Sequence, residues 1–186
     1  MDSSLYHSFY ELETTHWWFV ARSRILLDLI ERYSPPNQRN TLLDIGCGTG
    51  VMLQSLHPRF GKVYGLDCSP LAVKYTNQRL AKTGGVAFQG TFPNEIPFAD
   101  ETFDVVLLLD VLEHLDDDEK AIRMVFQLLK MRGILVSIPA YPFLWSGHDD
   151  LNHHRRRYVL SELKPKLVRA GFLIEKLACF KNMFTF

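Results

Sequence analysis

The stretch "LLDIGCGTGVML", residues 42–53, sets three glycines into five consecutive positions directly after a short apolar run. The run, Thr41 to Gly46, is bounded by turn residues and reads as a buried strand, and the residues from about Gly50 to Leu56 read as a helix. Glycines between a strand and a helix turn the backbone tightly and bring it close to a bound molecule with no Cβ in the way. A tight turn without a ligand would use the same residues. Two acids favour the ligand: Asp44 stands just before the cluster, and Asp67 ends the next apolar run, "KVYGLD" (Lys62 to Asp67). An acid at the end of a second strand can accept hydrogen bonds from both hydroxyls of a ribose.

Working outward, strands and helices alternate. Apolar residues Ile25, Leu26, Leu29, Ile30 and Tyr33 recur at helical spacing from Trp17 to Tyr33, and "SPPNQRN" ends that helix. Ser69 and Pro70 are an N-cap and a first helical residue for a helix running to about Lys82. "VAFQG" is a third strand. "FDVVLLLDV" (Phe103 to Val111) is nearly all apolar, the pattern of a central strand buried on both faces of a parallel sheet. Asp116, Asp117 and Asp118 suit a helix start, and Lys130, Arg132 and Gly133 suit its end. "ILVSIP" (Ile134 to Pro139) is a fifth strand, Ser161 caps a helix ending at Gly171, and "FLIEKLACF" is a last strand candidate. The expected fold is an open, mostly parallel, doubly wound (Rossmann-like) α/β sheet with helices on both faces. Its ligands belong beyond the carboxyl ends of the strands, where strand order reverses.

Composition sets the bounds. The 186 residues fit a single domain, divided into an N-terminal helical cap or lid (1–40), a ligand-binding core (41–139) and a segment carrying the acceptor-side loop, a helix and the last strand (140–186). Lys plus Arg and Asp plus Glu both number 21, so no net field draws the chain to nucleic acid or an acidic membrane. Cys47, Cys68 and Cys179 lack C-x-x-C spacing, which argues against a disulfide framework and for a reducing, cytoplasmic setting. "MDSSLYHSFYELE" lacks the basic and apolar parts of a signal peptide, and Val105 to Leu109 is too short to span a bilayer. No pair of His, Cys or acids has metal-ligand spacing, so no metal is expected.

Two ligand classes use such a glycine turn. The dinucleotide pattern is G-x-G-x-x-G, whereas Asp44 to Gly50 reads D-x-G-x-G-x-G, a spacing that favours S-adenosylmethionine. Here the chain resembles the class I S-adenosylmethionine-dependent methyltransferases, and "DCSPLAVKYT", "PFADETFDVVLLLDVLEHL" and "LLKMRGILVSIP" extend the resemblance from about Thr41 to Pro139. The flanks "ELETTHWWFVARSR" and "YPFLWSGHDDLNHHRRRY" resemble a bacterial small-molecule branch. The resemblance implies that Asp44 and the backbone of Gly46, Cys47 and Gly48 hold the methionine part of the cofactor. Asp67 would bind the ribose hydroxyls with Cys68 beside the adenine, and Asp110 would face the amino acid end. Many relatives carry an Asp after the third strand; this chain has Thr91 and Phe92, so Thr91 or backbone groups would take the adenine amino group and Phe92 would lie against the ring. The superfamily's antiparallel last strand is missing or cut short, and the exposed edge would then favour a homodimer.

Methyl transfer from a sulfonium is an in-line displacement in which the protein chiefly aligns the reactants. A base is needed only for a protonated acceptor, and His114, His148, Asp149, His153 and His154 are the candidates. Glu113 and His114 could equally support the following helix, and His148 and Asp149 could form a polar surface loop. "HHRRRY" (His153 to Tyr158) is a solvated face or an anion site for a phosphorylated or carboxylated small-molecule acceptor. "HWWF" (His16 to Phe19) packs one indole inside, or folds over the cleft as a lid; Tyr141 and Trp145 would line the same pocket or anchor their loop. The expected activity is methyl transfer from S-adenosylmethionine to O or N, releasing S-adenosylhomocysteine. An NAD-type oxidoreductase and a non-catalytic adenosyl-binding protein are the alternatives.

Overall fold

The computed structural model describes residues 3–130 and 133–178. Five parallel strands, β1 (Thr41–Ile45), β2 (Lys62–Asp67), β3 (Val86–Gln89), β4 (Val105–Leu109) and β5 (Ile134–Ser137), form one sheet in the order β3-β2-β1-β4-β5. The order reverses between β1 and β4, so the crevice lies beyond their carboxyl ends. Register brings Asp44 opposite Gly65 of β2 and Leu107 of β4.

The alternation of side chains along strands divides the core in two. Leu43, Ile45, Val106 and Leu108 face α5 (Asp118–Leu128) and α7 (Leu160–Arg169), while Leu42, Val105, Leu107 and Leu109 face α2 (Trp17–Tyr33), α3 (Val51–Leu56) and α4 (Pro70–Leu80). All five β4 residues are buried, as expected for a strand covered on both faces. Local chemistry sets the helix starts: the Ser69 hydroxyl accepts the Ala72 N–H ahead of Pro70, and the Asp117 carboxylate accepts the Lys120 N–H.

Three sequence expectations are corrected. Helix α7 begins at Leu160 behind Val159, so Ser161 lies inside it; an extended bridge between Ala140 and Tyr158 runs up to that point, and the chain turns directly out of it. The candidate last strand is irregular over residues 172–178: Phe172 and Ile174 pack against the α5 and α7 face, Leu173 is 95% exposed, and no strand is paired there. Cys179 and the rest of that candidate lie outside the described residues. Two helices have no sequence counterpart, α1 (Ser3–Leu12) and the single-turn α6 (Gly147–Leu151). Among the described residues no helix is long and apolar enough to cross a membrane.

Candidate active site

The glycine turn uses its three glycines differently. Gly46, Gly48 and Gly50 all have left-handed φ values, +72°, +55° and +84°, which cost other residues about 1–2 kcal/mol each. A Cβ on Gly46 would stand 2.5 Å from Val111 Cγ2, and one on Gly50 would stand 2.8 Å from the Thr76 side chain; one on Gly48 would meet nothing within 4 Å. The first and third glycines therefore make close packing possible, and the middle one borders open space. The amides of Gly46 and Cys47 donate to the Leu66 carbonyl at 2.7 and 3.2 Å, tying the turn to β2. Their amides are thus engaged within the fold, and the Gly48 amide faces an acid, donating to Asp67 Oδ2 at 2.9 Å. The Cys47 thiol is buried beside Thr76, and burial pushes its pKa well up, which leaves it a packing residue.

The carboxylates converge on this turn. Asp67 Oδ1 accepts the Ser69 amide at 2.9 Å, so two N–H groups fix the Asp67 carboxylate. Since a carboxylate has about four lone-pair sites, two remain for other donors. Asp44 is 3% exposed and its Oδ1 has no hydrogen-bond partner. Burial pushes its carboxyl up to about 7, Asp67 and Glu13 add to the rise, and Arg22 opposes it. Arg22 donates to Asp110 at 2.5 Å, and the Ser137 hydroxyl donates to the other Asp110 oxygen at 2.9 Å. Asp110, Tyr141 and His153 are non-glycine residues with φ of +59°, +61° and +56°; backbone strain of this kind concentrates at functional sites. Cys68 is exposed beside Asp67.

A pH dependence follows from Asp44. A carboxyl whose folded pKa lies above its unfolded one stabilises the fold while protonated, fully below about pH 4, and the gain is lost as pH rises through about 7. Between pH 6 and 8 the loss is about 1.4 kcal/mol, or roughly 3–5 °C in Tm. Glu113, pushed up to about 9, adds a fall of its own over this range, so stability in thermal melts of the unliganded protein should fall more steeply with pH in wild type than in Asp44→Asn, by the Asp44 share; identical slopes in the two proteins would show that Asp44 does not titrate in this window.

The N-terminal segment lies across the same crevice. Burial raises the Tyr6 phenol to about 12 beside Asp67 and Ser69. Tyr10 stacks on Tyr75 with centroids 4.5 Å apart, and the Arg79 guanidinium sits 4.3 Å from the Tyr10 ring centre. Glu13 accepts from the Thr49 hydroxyl inside the glycine turn. Trp17 is half exposed, while Trp18 sets its ring edge-on to Phe19 and lies 6.0 Å from Arg22.

On the other side of the crevice, a 3-10 turn at Leu112–His114 follows β4. Glu113 is completely buried with neither oxygen hydrogen-bonded, and burial, then Asp110, pushes it up to about 9. His114 is held below its usual pKa, mainly by burial and then by His154, whose ring stands edge-on at 4.9 Å. Asp149, fully buried, accepts from His154 Nδ1 at 2.9 Å, from Arg157 through both oxygens at 2.8 Å, and from the Ser146 amide at 2.8 Å. Those donors hold its carboxyl well below the usual range. With its lone pairs committed it has no capacity to take a proton from a substrate, so it anchors the loop instead of acting as the base. His148 is exposed and paired with Asn152. Arg155 pairs with Asp116, and Arg156 with Asp118 and the carbonyls of Leu115 and Asp116. The basic run is thus spent internally. Trp145 donates to Asp150 at 2.9 Å.

After β3, the Thr91 carbonyl accepts the Asn94 and Glu95 amides, and Phe92 is 8% exposed within the α5-side core. Phe92, expected against a ligand ring, belongs to the apolar cluster that also holds Leu66, where burial stabilises it. Tyr6, Glu13, Arg22, Thr76 and Glu113 were not read as site residues. Only Glu113 carried a local signal, an acid beside His114 four residues past the end of a buried strand.

A parallel sheet of this order, with a glycine turn after β1 and a carboxylate ending β2, defines the Rossmann-like class of nucleotide-binding folds. Residues 43–137 match the methyltransferase-domain family, and the chain belongs to it, within the class I S-adenosylmethionine-dependent superfamily. It is 31% identical over 102 residues to the ubiquinone biosynthesis O-methyltransferase of Cereibacter sphaeroides, covering 54% of this chain and 41% of that one. It is 36% identical over 97 residues to norajmaline N-methyltransferase of Rauvolfia serpentina, covering 49% and 33%. The chain spans less than half the length of either relative. Among solved structures, the YcgJ protein of Bacillus subtilis superposes with a TM-score of 0.68 at 26% identity, covering 81% and 68%. The cofactor is S-adenosylmethionine, and the residues fit it: open space at Gly48, an unpartnered buried Asp44 oxygen, and acids suited to a cationic ligand.

Proposed function

We propose that this chain transfers a methyl group from S-adenosylmethionine to an oxygen of a small, largely apolar acceptor bound between the 3-10 turn after β4 and the loop after β5. The observation that carries the reading is the acid-lined turn: Asp67 holds the Gly48 amide, Gly48 borders open space, and the buried Asp44 ahead of the turn keeps an unpartnered oxygen. The bound cofactor supplies an electrophilic methyl group on a sulfonium. In this reading Asp67, fixed by two amides, receives two ribose hydroxyls on its remaining lone pairs, and Asp44 and Asp110 offset the positive charge of the amino acid end. Cys68 borders the adenine, with Tyr6 over it. The segment 1–40 is the lid, fastened by Arg22 to Asp110 and by Glu13 to Thr49.

On the acceptor side, Glu113, His114 and His154 line the position of the acceptor's reacting oxygen, and Asp149 positions His154. Oxygen as the methylated atom is supported by the relatives named ubiquinone biosynthesis O-methyltransferase; the N-methyltransferase relative makes nitrogen the competing outcome. Phe143 and Leu151 are 80% and 62% exposed around α6, which supports an apolar acceptor body. Engagement of Arg155, Arg156 and Arg157 within the chain supports a neutral acceptor over a phosphorylated or carboxylated one.

Calorimetry tests the reading. S-adenosylhomocysteine should bind the full chain 1:1, with affinity rising from pH 6 to 8 as Asp44 ionises against the ligand's ammonium group. Folded protein that binds NAD but not S-adenosylhomocysteine would be an oxidoreductase, and protein that binds neither would end the proposal. Cofactor binding without transfer of labelled methyl to any of a panel of phenols, alcohols and amines would leave a non-catalytic adenosyl-binding protein.

A further inference from the structure

We propose that Glu113, His114 and His154 form a site for a divalent transition-metal ion on the acceptor side of the crevice. One ligand atom from each residue lies within 4.8 Å of the others. A tetrahedral ion with bonds of 2.0–2.1 Å would set such atoms about 3.3 Å apart, so small side-chain rotations close the set. The sequence offers no metal-ligand spacing because the third ligand comes from forty residues further along.

Three independent features point to a cation. Glu113 is completely buried and both its carboxylate oxygens lack a hydrogen-bond partner. Buried polar groups are almost always satisfied, so two unpartnered oxygens on one carboxyl mark a position where a cation would be the partner. His154 Nδ1 faces Asp149 Oδ1 at 2.9 Å, and Asp149 is itself clamped by Arg157 and Ser146. Because an ionised carboxylate only accepts, Nδ1 carries the hydrogen and the lone pair is on Nε2. A buried carboxylate behind a histidine is the arrangement that orients imidazoles toward bound metals. Finally, His114 is held from two sides: its ring stands edge-on to His154 at 4.9 Å, and its carbonyl accepts from Arg155 Nε at 3.0 Å.

One carboxylate and two imidazoles suit ions of intermediate softness such as Zn²⁺, Co²⁺, Mn²⁺ or Fe²⁺. Three protein ligands leave coordination positions open, as in metal sites that bind substrate. The ligand class for those positions is an acceptor oxygen, whose O–H bond the ion would polarise. That last assignment rests on the methyltransferase reading; ion binding does not.

The test uses the full chain, stripped with chelator and titrated calorimetrically with Zn²⁺ and with Mn²⁺. One ion should bind per chain, and Glu113→Gln, His154→Ala and Asp149→Asn should each weaken it at least tenfold. His57→Ala, on the far side of the sheet, should not. Glu113→Gln conserves shape, and its melting curve and S-adenosylhomocysteine affinity report whether the fold and cofactor site survive. Absence of binding by stripped, folded protein, or equal affinity in wild type and Glu113→Gln, overturns the proposal. Stripped protein that still binds S-adenosylhomocysteine leaves the methyltransferase reading standing whichever way the metal titration falls; loss of cofactor binding with the ion site intact sinks that reading alone.

Discussion

Asp67→Ala is expected to weaken S-adenosylhomocysteine binding by about 100-fold while the sheet remains folded. Asp67 ends β2 at 8% exposure, and its carboxylate is fixed by the amides of Gly48 and Ser69. A carboxylate oriented in this way loses little freedom when it accepts two ribose hydroxyls. Hydrogen bonds to a charged group contribute about 1.5–3 kcal/mol each. Losing two, with partial rescue by water, gives roughly 3 kcal/mol, a little over 100-fold at 25 °C. Asp67→Asn separates charge from shape, since its amide can still accept through oxygen, and should fall between wild type and alanine. Calorimetry on the folded variants measures both. Affinity within threefold of wild type in Asp67→Ala would mean that the ribose is held by other groups, and the adenosyl assignment of this crevice would fall with it.

The electrostatics around that residue explain why the crevice calls for a cationic ligand. Burial raises the carboxyls of Glu13, Asp44 and Asp67, and Asp67 and Glu13 add to the rise at Asp44. Arg22 is the cation that acts on Glu13, Asp44 and Glu113 together, while it is ion-paired to Asp110. Proton uptake by Asp44 near neutral pH is how the unliganded site relieves the repulsion; a sulfonium and an ammonium group would relieve it without protons. The family's donor and the site's charge pattern are thus two aspects of one arrangement.

How far this was legible in sequence depended on whether the signal was local. The five strands and α2 to α5 could be read because apolar runs, caps and glycines are short-range features, and β4 could be placed centrally because it is apolar at every position. Asp44, the glycine turn and Asp67 were legible for the same reason: one crossover brings them together. The failures are tertiary. Whether Phe92 meets a ligand or a core depends on an apolar cluster drawn from distant segments such as Leu66, Phe103 and Leu163, which local sequence does not reveal. The basic run at Arg155–Arg157 looked free until Asp116, Asp118 and Asp149 were placed against it. Phe172 and Ile174 alternate as a strand would, yet their alternation serves packing on α5 and α7. Arg22 lies on a helix whose apolar stripe was plain, but nothing nearby in sequence points to Asp110, 88 residues away.

Alanine substitutions within the glycine turn should separate a packing role from a ligand role. In Gly50→Ala the new Cβ would lie 2.8 Å from the Thr76 side chain and 2.9 Å from its Cα, at a φ of +84°. Left-handed strain of about 1–2 kcal/mol and overpacking of about 1–3 kcal/mol should together lower Tm by roughly 10 °C. Gly46→Ala meets only the movable Val111 methyl at 2.5 Å, and its cost should be smaller. Gly48→Ala carries the strain of φ +55° but meets nothing within 4 Å, so its Tm should fall by only about 3–5 °C. Its effect on binding should be the reverse of its effect on stability. If the open space beside Gly48 is where the cofactor's methionine part lies, a methyl there reduces S-adenosylhomocysteine affinity at least tenfold, by steric exclusion and by displacing the amide that orients Asp67. A bare structural turn predicts the same ranking in stability, with Gly50→Ala the most damaging, but leaves Gly48→Ala silent in every ligand titration. Melting curves and calorimetry on the three variants decide between the two, and wild-type affinity in Gly48→Ala would remove the turn from the cofactor site.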